Sequence, residues 1–188
     1  MKIKSIVYKS STGHTGRYAR LLSEITGIPA YTSREAMINL KRGDDILFMG
    51  WIRIKDLMGY NLFLNLYNVK AIAAVGAVAP EFEDMILTKI RMKYRLSDRI
   101  KTFYLQGGYT PKMSRGMDQK LSGALIDDLG KKIRKKQKKG IDTLEYEKNL
   151  LNVLVNGGDF VSEKNLKDIV DWISKAGDTG EMEDRNEF

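Results

Sequence analysis

Seven consecutive residues, Ser10-Ser11-Thr12-Gly13-His14-Thr15-Gly16, bring together groups that can hold a phosphate without a cation. Ser10, Ser11, Thr12 and Thr15 supply hydroxyls, and the glycines let the backbone approach a ligand closely. The stretch lies between an apolar run and a helical pattern, so amides at the start of that helix would complete a neutral anion cradle. No Gly-Lys-Ser/Thr ends the loop and no G-x-G-x-x-G occurs in it, which sets aside a Walker loop and a dinucleotide fingerprint. A polar turn that only caps a helix is the plainer alternative, and the flanking strand and helix pattern weighs against it.

Composition narrows the chemistry further. The 188 residues suffice for one domain with a sizeable core. Without Cys there are no disulfides, thiolate metal sites, iron–sulfur clusters or Cys nucleophiles, so redox chemistry would fall to a bound cofactor. His14 is the single His, which disfavours a His-based metal site or a Ser-His-Asp triad. It is read as present for its backbone amide. Met1-Lys2-Ile3-Lys4 alternates charge and hydrophobe, and no run of about 18 apolar residues occurs, so a cytoplasmic protein is expected. The formal net charge is +8, and Lys131 to Lys139 holds seven basic residues and no acid, leaving the remainder nearly balanced.

The elements that must position the loop alternate strand and helix. Strands are predicted at Ile3 to Tyr8, Ile28 to Tyr31, Ile46 to Met49, Ala71 to Val75 and Ile100 to Leu105. Between them, helical spacing falls at Thr15 to Ile25, in a short segment after the capped turn at Thr32 to Ala36, at Met58 to Tyr67 and at Phe82 to Tyr94. This order predicts an α/β fold, a doubly wound five-stranded parallel sheet with helices on both faces. Asp44 and Asp45 are read as surface residues opening the third strand, since neighbours on a strand face opposite ways.

Open α/β sheets bind ligands at the carboxyl ends of their strands. Gly50-Trp51-Ile52-Arg53 is expected as the loop after the third strand, where Trp51 can meet an aromatic ligand or serve as core. Gly76-Ala77-Val78 follows the fourth strand with small residues that let amides come close to a ligand. Past Pro111, Met113, Met117, Leu121, Leu125 and Leu129 form a stripe read first as core and second as a greasy binding face. That stripe, the basic run and a helix at Thr143 to Val155 make an insert of about residues 112–157. A capped helix from Ser162 to Ala176 closes the domain at 1–176, and the acidic tail 177–188 is expected to be disordered.

One spacing is more specific than a Gly-rich loop. Ile6 and Val7, aromatic Tyr8, Ser10, Gly13, Thr15, Ala19 and Leu22 stand in the order of the flavodoxin family's phosphate loop, which this chain resembles at every constrained position. In organisation it is similar to the flavodoxin-like protoporphyrinogen dehydrogenase group. Gly50-Trp51-Ile52-Arg53 followed by Gly59-Tyr60, Gly107-Gly108-Tyr109-Thr110-Pro111 before a basic helix, and Asp159-Phe160-Val161-Ser162 opening the last helix carry that likeness. It departs from simple electron-carrier flavodoxins in being basic. Lys112-Met113-Ser114-Arg115-Gly116-Met117 also stands where an aromatic, Arg-rich stretch would be expected.

The resemblance implies FMN as cofactor. Ser10, Ser11, Thr12, Gly13, His14 and Thr15 would lie on its phosphate, Gly50, Trp51, Ile52 and Arg53 on the ring, and Gly76, Ala77 and Val78 at the pyrimidine edge. It implies an oxidoreductase passing electrons from an organic substrate to a quinone or a protein acceptor. A non-enzymatic electron shuttle and a flavin-free binding module stand beside it as alternatives. Arg53 and Lys55 near the ring would favour reduced, anionic flavin and raise its potential, which potentiometry of Arg53→Ala tests. For Lys131 to Lys139 a solvated face comes first, then an anionic membrane surface. Nucleic acid comes last, because no interleaved aromatics or nucleic-acid fold accompany the run.

Overall fold

Ser5, Ile6 and Val7 are fully buried, as a strand covered on both faces requires. The computed structural model describes residues 3–63, 65–111 and 116–183. In chain order the first half holds β1 (Ser5–Lys9), α1 (His14–Thr26), β2 (Ala30–Thr32), α2 (Ser33–Asn39), β3 (Asp45–Arg53), β4 (Asp56–Leu57) and α3 (Tyr60–Phe63). The second half holds β5 (Asn68–Gly76), α4 (Glu83–Tyr94), β6 (Lys101–Gln106), β7 (Gly108–Tyr109), α5 (Gly116–Lys138), α6 (Glu145–Asn156), β8 (Gly158–Asp159) and α7 (Lys167–Glu183). Single 3-10 turns at Pro80–Phe82 and Glu163–Leu166 lead into α4 and α7.

Five strands pair in parallel in the order β2-β1-β3-β5-β6, with β4 added antiparallel to the end of β3. Alternation along the strands divides the core into two layers. Val7, Phe48, Ile72 and Ala74 face α2, α3 and α4 through Ala36, Tyr60, Phe63, Ile86 and Ile90. Ile6, Leu47, Met49, Ala73 and Leu105 face α1 and the closing segment through Tyr18, Leu22, Leu166 and Ile169. This is the doubly wound, flavodoxin-like arrangement.

Several boundaries differ from the sequence expectation. Gly50 to Arg53 is not a loop: β3 runs on through it, because Asp56 and Leu57 fold back and pair with Arg53 and Ile52. The helix expected over Met58 to Tyr67 shrinks to Tyr60–Phe63. Tyr67 instead turns inward, stacks on Phe63 at 5.7 Å and donates its hydroxyl to the Ala36 carbonyl.

The insert is a hairpin of α5 and α6 whose ends meet, since β7 before it pairs with β8 after it. Tyr146 and Leu150 of α6 pack on the core layer that holds α4, and Tyr146 meets Phe82 edge to face at 5.5 Å. The basic run continues α5 to Lys138. Of the Met/Leu stripe, Leu129 is buried and Leu121 and Leu125 half-buried, while Met113 lies outside the described residues. α7 extends to Glu183, seven residues past the expected end, since Gly177 and Gly180 weaken a helix by about 1 kcal/mol each without stopping it. The rest of the tail, 184–188, lies outside the described residues. No helix among the described residues is long and apolar enough to cross a membrane.

Candidate functional site

The turn between β1 and α1 depends on Gly13, whose φ of 98° lies where a side chain would be strained. Its carbonyl accepts the first helical bond, from the Arg17 amide at 2.9 Å. No side chain caps α1, and no acid sits in its first turn. The helix therefore presents its first amides and the positive end of its dipole to the loop, with no side-chain cap from Gly13. Ser10 follows β1 directly, and its hydroxyl is buried without a hydrogen-bond partner. A buried, unpartnered hydroxyl beside uncapped amides suits an anion at that point. The residues present thus fit the phosphate of a nucleotide such as FMN.

His14 has a larger part here than its backbone. The side chain is buried, and its Nδ1 lies 3.0 Å from Thr12 Oγ1. Nε2 faces Asp159 Oδ1 at 3.9 Å, and Asp159 in turn accepts a hydrogen bond from Arg17. Burial lowers the imidazole below its ordinary value; the Asp159 charge opposes that shift and the Arg17 charge adds to it. The ring is therefore neutral near pH 7, and a proton on Nε2 leaves Nδ1 to accept from Thr12. Burial works to raise the Asp159 carboxyl, but the Arg17 bond, the Val161 amide and the charges of Arg17 and His14 outweigh it and hold the group ionised. Arg17 thus neutralises the Asp159 carboxylate that reaches toward His14.

The segment that follows β8 is fastened to this end of the sheet by further bonds. Tyr18 donates its hydroxyl to the Gln106 carbonyl at 2.7 Å, and Asn165 donates to Tyr18 at 2.6 Å and to the Phe160 carbonyl at 3.0 Å. None of Arg17, Asp159 and Asn165 stood out as a site residue in the sequence. The available signal was Asp159-Phe160-Val161-Ser162, which marks the start of the last helix but says nothing about what its carboxylate meets.

The register gathers the other expected residues at the same edge. Lys9 pairs with Gly50, and Trp51 pairs with Val75, one residue before Gly76. Trp51, Ile52 and Arg53 are half-buried within the β3–β4 hairpin, and the Arg53 guanidinium stands 5.9 Å from the centre of the Trp51 ring. Gly76 is needed for a reason internal to the protein: a Cβ there would stand 2.7 Å from the Tyr104 hydroxyl. That hydroxyl donates to the buried Val78 carbonyl at 2.6 Å, and Asn149 of α6 accepts from the Ala79 amide at 3.1 Å. The loop after β5 is thereby held from both sides, while Ala77 stays partly exposed.

An open cleft of about 260 Å³ lies beside Ser10, lined by Tyr8, Lys9, Thr32, Ser33 and Arg34. A larger depression of about 460 Å³ sits at the amino ends of β1 and β2, around Ile3, Thr26 and Ile28, away from the loops that the fold turns toward ligands. No group of three or more His, Cys, Asp or Glu suited to a metal ion occurs among the described residues. No protein family model matches the chain, nor does any curated protein or solved structure. The fold defines the class, a doubly wound α/β domain of flavodoxin-like topology, and the site must be argued from its own residues.

Proposed function

We propose that this protein binds FMN and acts as an oxidoreductase, passing electrons from an organic substrate to a quinone or a protein acceptor. The observation that carries the reading is the buried, unpartnered Ser10 hydroxyl in front of the uncapped, acid-free start of α1. Ser10, Thr12 and the amides after Gly13 would hold the phosphate, with Ser11 and Thr15 beside them. Trp51 with Arg53, and the loop from Gly76 to Val78, would bound the ring from β3 and β5. FMN, when bound, would supply transfer of one or two electrons, and no side chain of this chain replaces it in that role. The chain's own part is to bind and orient the cofactor, to shield one face and to set the charge around it, with Arg53 and Lys55 favouring the reduced form.

The test is an FMN titration of flavin-free protein, followed by quenching of flavin fluorescence. Saturable binding is expected, weakened about tenfold by Ser10→Ala or Thr12→Ala, since each removes one hydrogen bond to a charged group. Trp51→Phe should bind with less quenching. Absence of saturable binding would refute the flavin reading and favour a binding module on the same fold. Turnover with quinones and porphyrinogens as acceptor and donor then separates an enzyme from an electron shuttle. The exposed cations of α5 are part of the same proposal, as the face that meets an anionic membrane surface where such an acceptor resides.

A further inference from the structure

We infer that the anion site does not end at the phosphate loop but continues into the cleft between β1 and β2, so that it receives a diphosphate. The inference deepens the phosphate-loop reading and rests on it. Tyr8 and Thr32 are paired across β1 and β2, and beyond that pair the two chains part. One enters the Ser10 to Gly13 loop and the other enters α2, and the cleft of about 260 Å³ lies in the fork. Ser10 belongs to both places, with its unpartnered hydroxyl at the junction.

Lys9 and Arg34 line the cleft, both exposed, and neither is paired with a carboxylate among the described residues. The nearby carboxylate of Glu35 is already engaged, accepting from the Thr32 amide at 2.8 Å within the cap of α2. The Ser33 hydroxyl, donating to the Tyr8 carbonyl at 3.3 Å, braces the wall. A loop that can hold one phosphate with neutral groups is thus flanked by two uncommitted cations, one of them an Arg whose fork suits phosphoryl oxygens. The volume fits a phosphoryl group better than an aromatic ring, which asks for a larger and more apolar pocket. Since Trp51 stands on the β3 side of β1 and the cleft on the β2 side, a flavin and a second phosphoryl group would extend from the loop in opposite directions.

Calorimetric titration of the full chain with inorganic phosphate and with pyrophosphate tests the cleft directly. Pyrophosphate should bind about tenfold more tightly, and Lys9→Ala and Arg34→Ala should each remove most of that surplus while leaving phosphate within about twofold. A variant that removes twice that charge elsewhere, Lys131→Ala with Lys135→Ala, should keep it. Equal affinities, no detectable binding of pyrophosphate, or a surplus that survives both cleft variants would overturn the inference. Titrations with FMN, FAD and ADP then identify the source. FAD tighter than FMN, and sensitive to Arg34→Ala, marks a flavin dinucleotide; ADP binding without FAD binding marks a free nucleoside diphosphate. FMN binding without any diphosphate surplus would sink the cleft and leave the flavin, whereas a surplus without FMN binding would do the reverse.

Discussion

His14 reports on the loop at the scale of one side chain, because it is the sole imidazole in the chain. Burial lowers its folded pKa below the ordinary 6.5, and the unfolded chain keeps that ordinary value. Above that pH both states are neutral and the group contributes nothing to the pH dependence. As pH falls below it, the unfolded chain takes up a proton that the folded protein refuses, so stability declines until the folded value is passed. The decline is at most about 1.4 kcal/mol per pH unit. Urea unfolding between about pH 7.5 and about pH 5 should show this loss, and His14→Gln should lack it. An NMR titration should place the folded pKa below 6.5, and Asp159→Asn should lower it further, since the Asp159 charge is what raises it. A folded value at or above the ordinary one would refute the burial argument. The position of His14 in the loop was legible from spacing alone. Its contact with Asp159 was not, because that pairing spans 145 positions of chain and is made by β8 returning beside β7.

At the scale of elements, strand cores were legible and their ends were not. Ile46 to Met49 is apolar enough to announce a strand, but whether β3 stops there depends on a partner, and the partner is the two residues Asp56 and Leu57. Tyr67 illustrates the same limit, since helical spacing includes it while its bond to Ala36 takes it out of the helix. The insert shows the largest gap: its helices follow from periodicity, but nothing in the sequence says that α6 grips the loop after β5. That grip is testable. Asn149→Ala leaves the partly buried Ala79 amide without its acceptor and should lower stability by about 1–2 kcal/mol, with an unchanged urea m-value and a single transition. Asn149→Asp, which keeps an acceptor oxygen, should recover most of the loss. A separate transition for the hairpin would show instead that α5 and α6 fold independently of the sheet.

Over the whole molecule the charge excess is concentrated in the run Lys131 to Lys139, and the fold decides how much of it is available. Of the seven cations from Lys131 to Lys139, Lys132 pairs with Asp128 and Lys136 with Glu147, each at 2.7 Å. Lys131, Arg134, Lys135, Lys138 and Lys139 are exposed and have no carboxylate partner among the described residues. Beside them, the turn into α6 exposes Ile141 and Leu144 at 53% and 61%, so cations and apolar side chains share the tip of the hairpin. A membrane surface rewards that combination, with roughly 1 kcal/mol per cation near anionic lipid and a further gain for any apolar side chain that enters the headgroup layer. Sedimentation with vesicles of phosphatidylserine and phosphatidylcholine should therefore carry the protein down at low salt, and vesicles of phosphatidylcholine alone should not. Raising salt to about 0.5 M shortens the screening length below 8 Å and should release most of it. Replacing Lys131, Arg134 and Lys135 by Ala should weaken binding by more than tenfold, whereas Lys9→Ala and Arg34→Ala, at the sheet edge, should leave it unchanged. Equal sedimentation of the triple variant would show that these three cations are a solvated face and that any vesicle binding is carried by other residues.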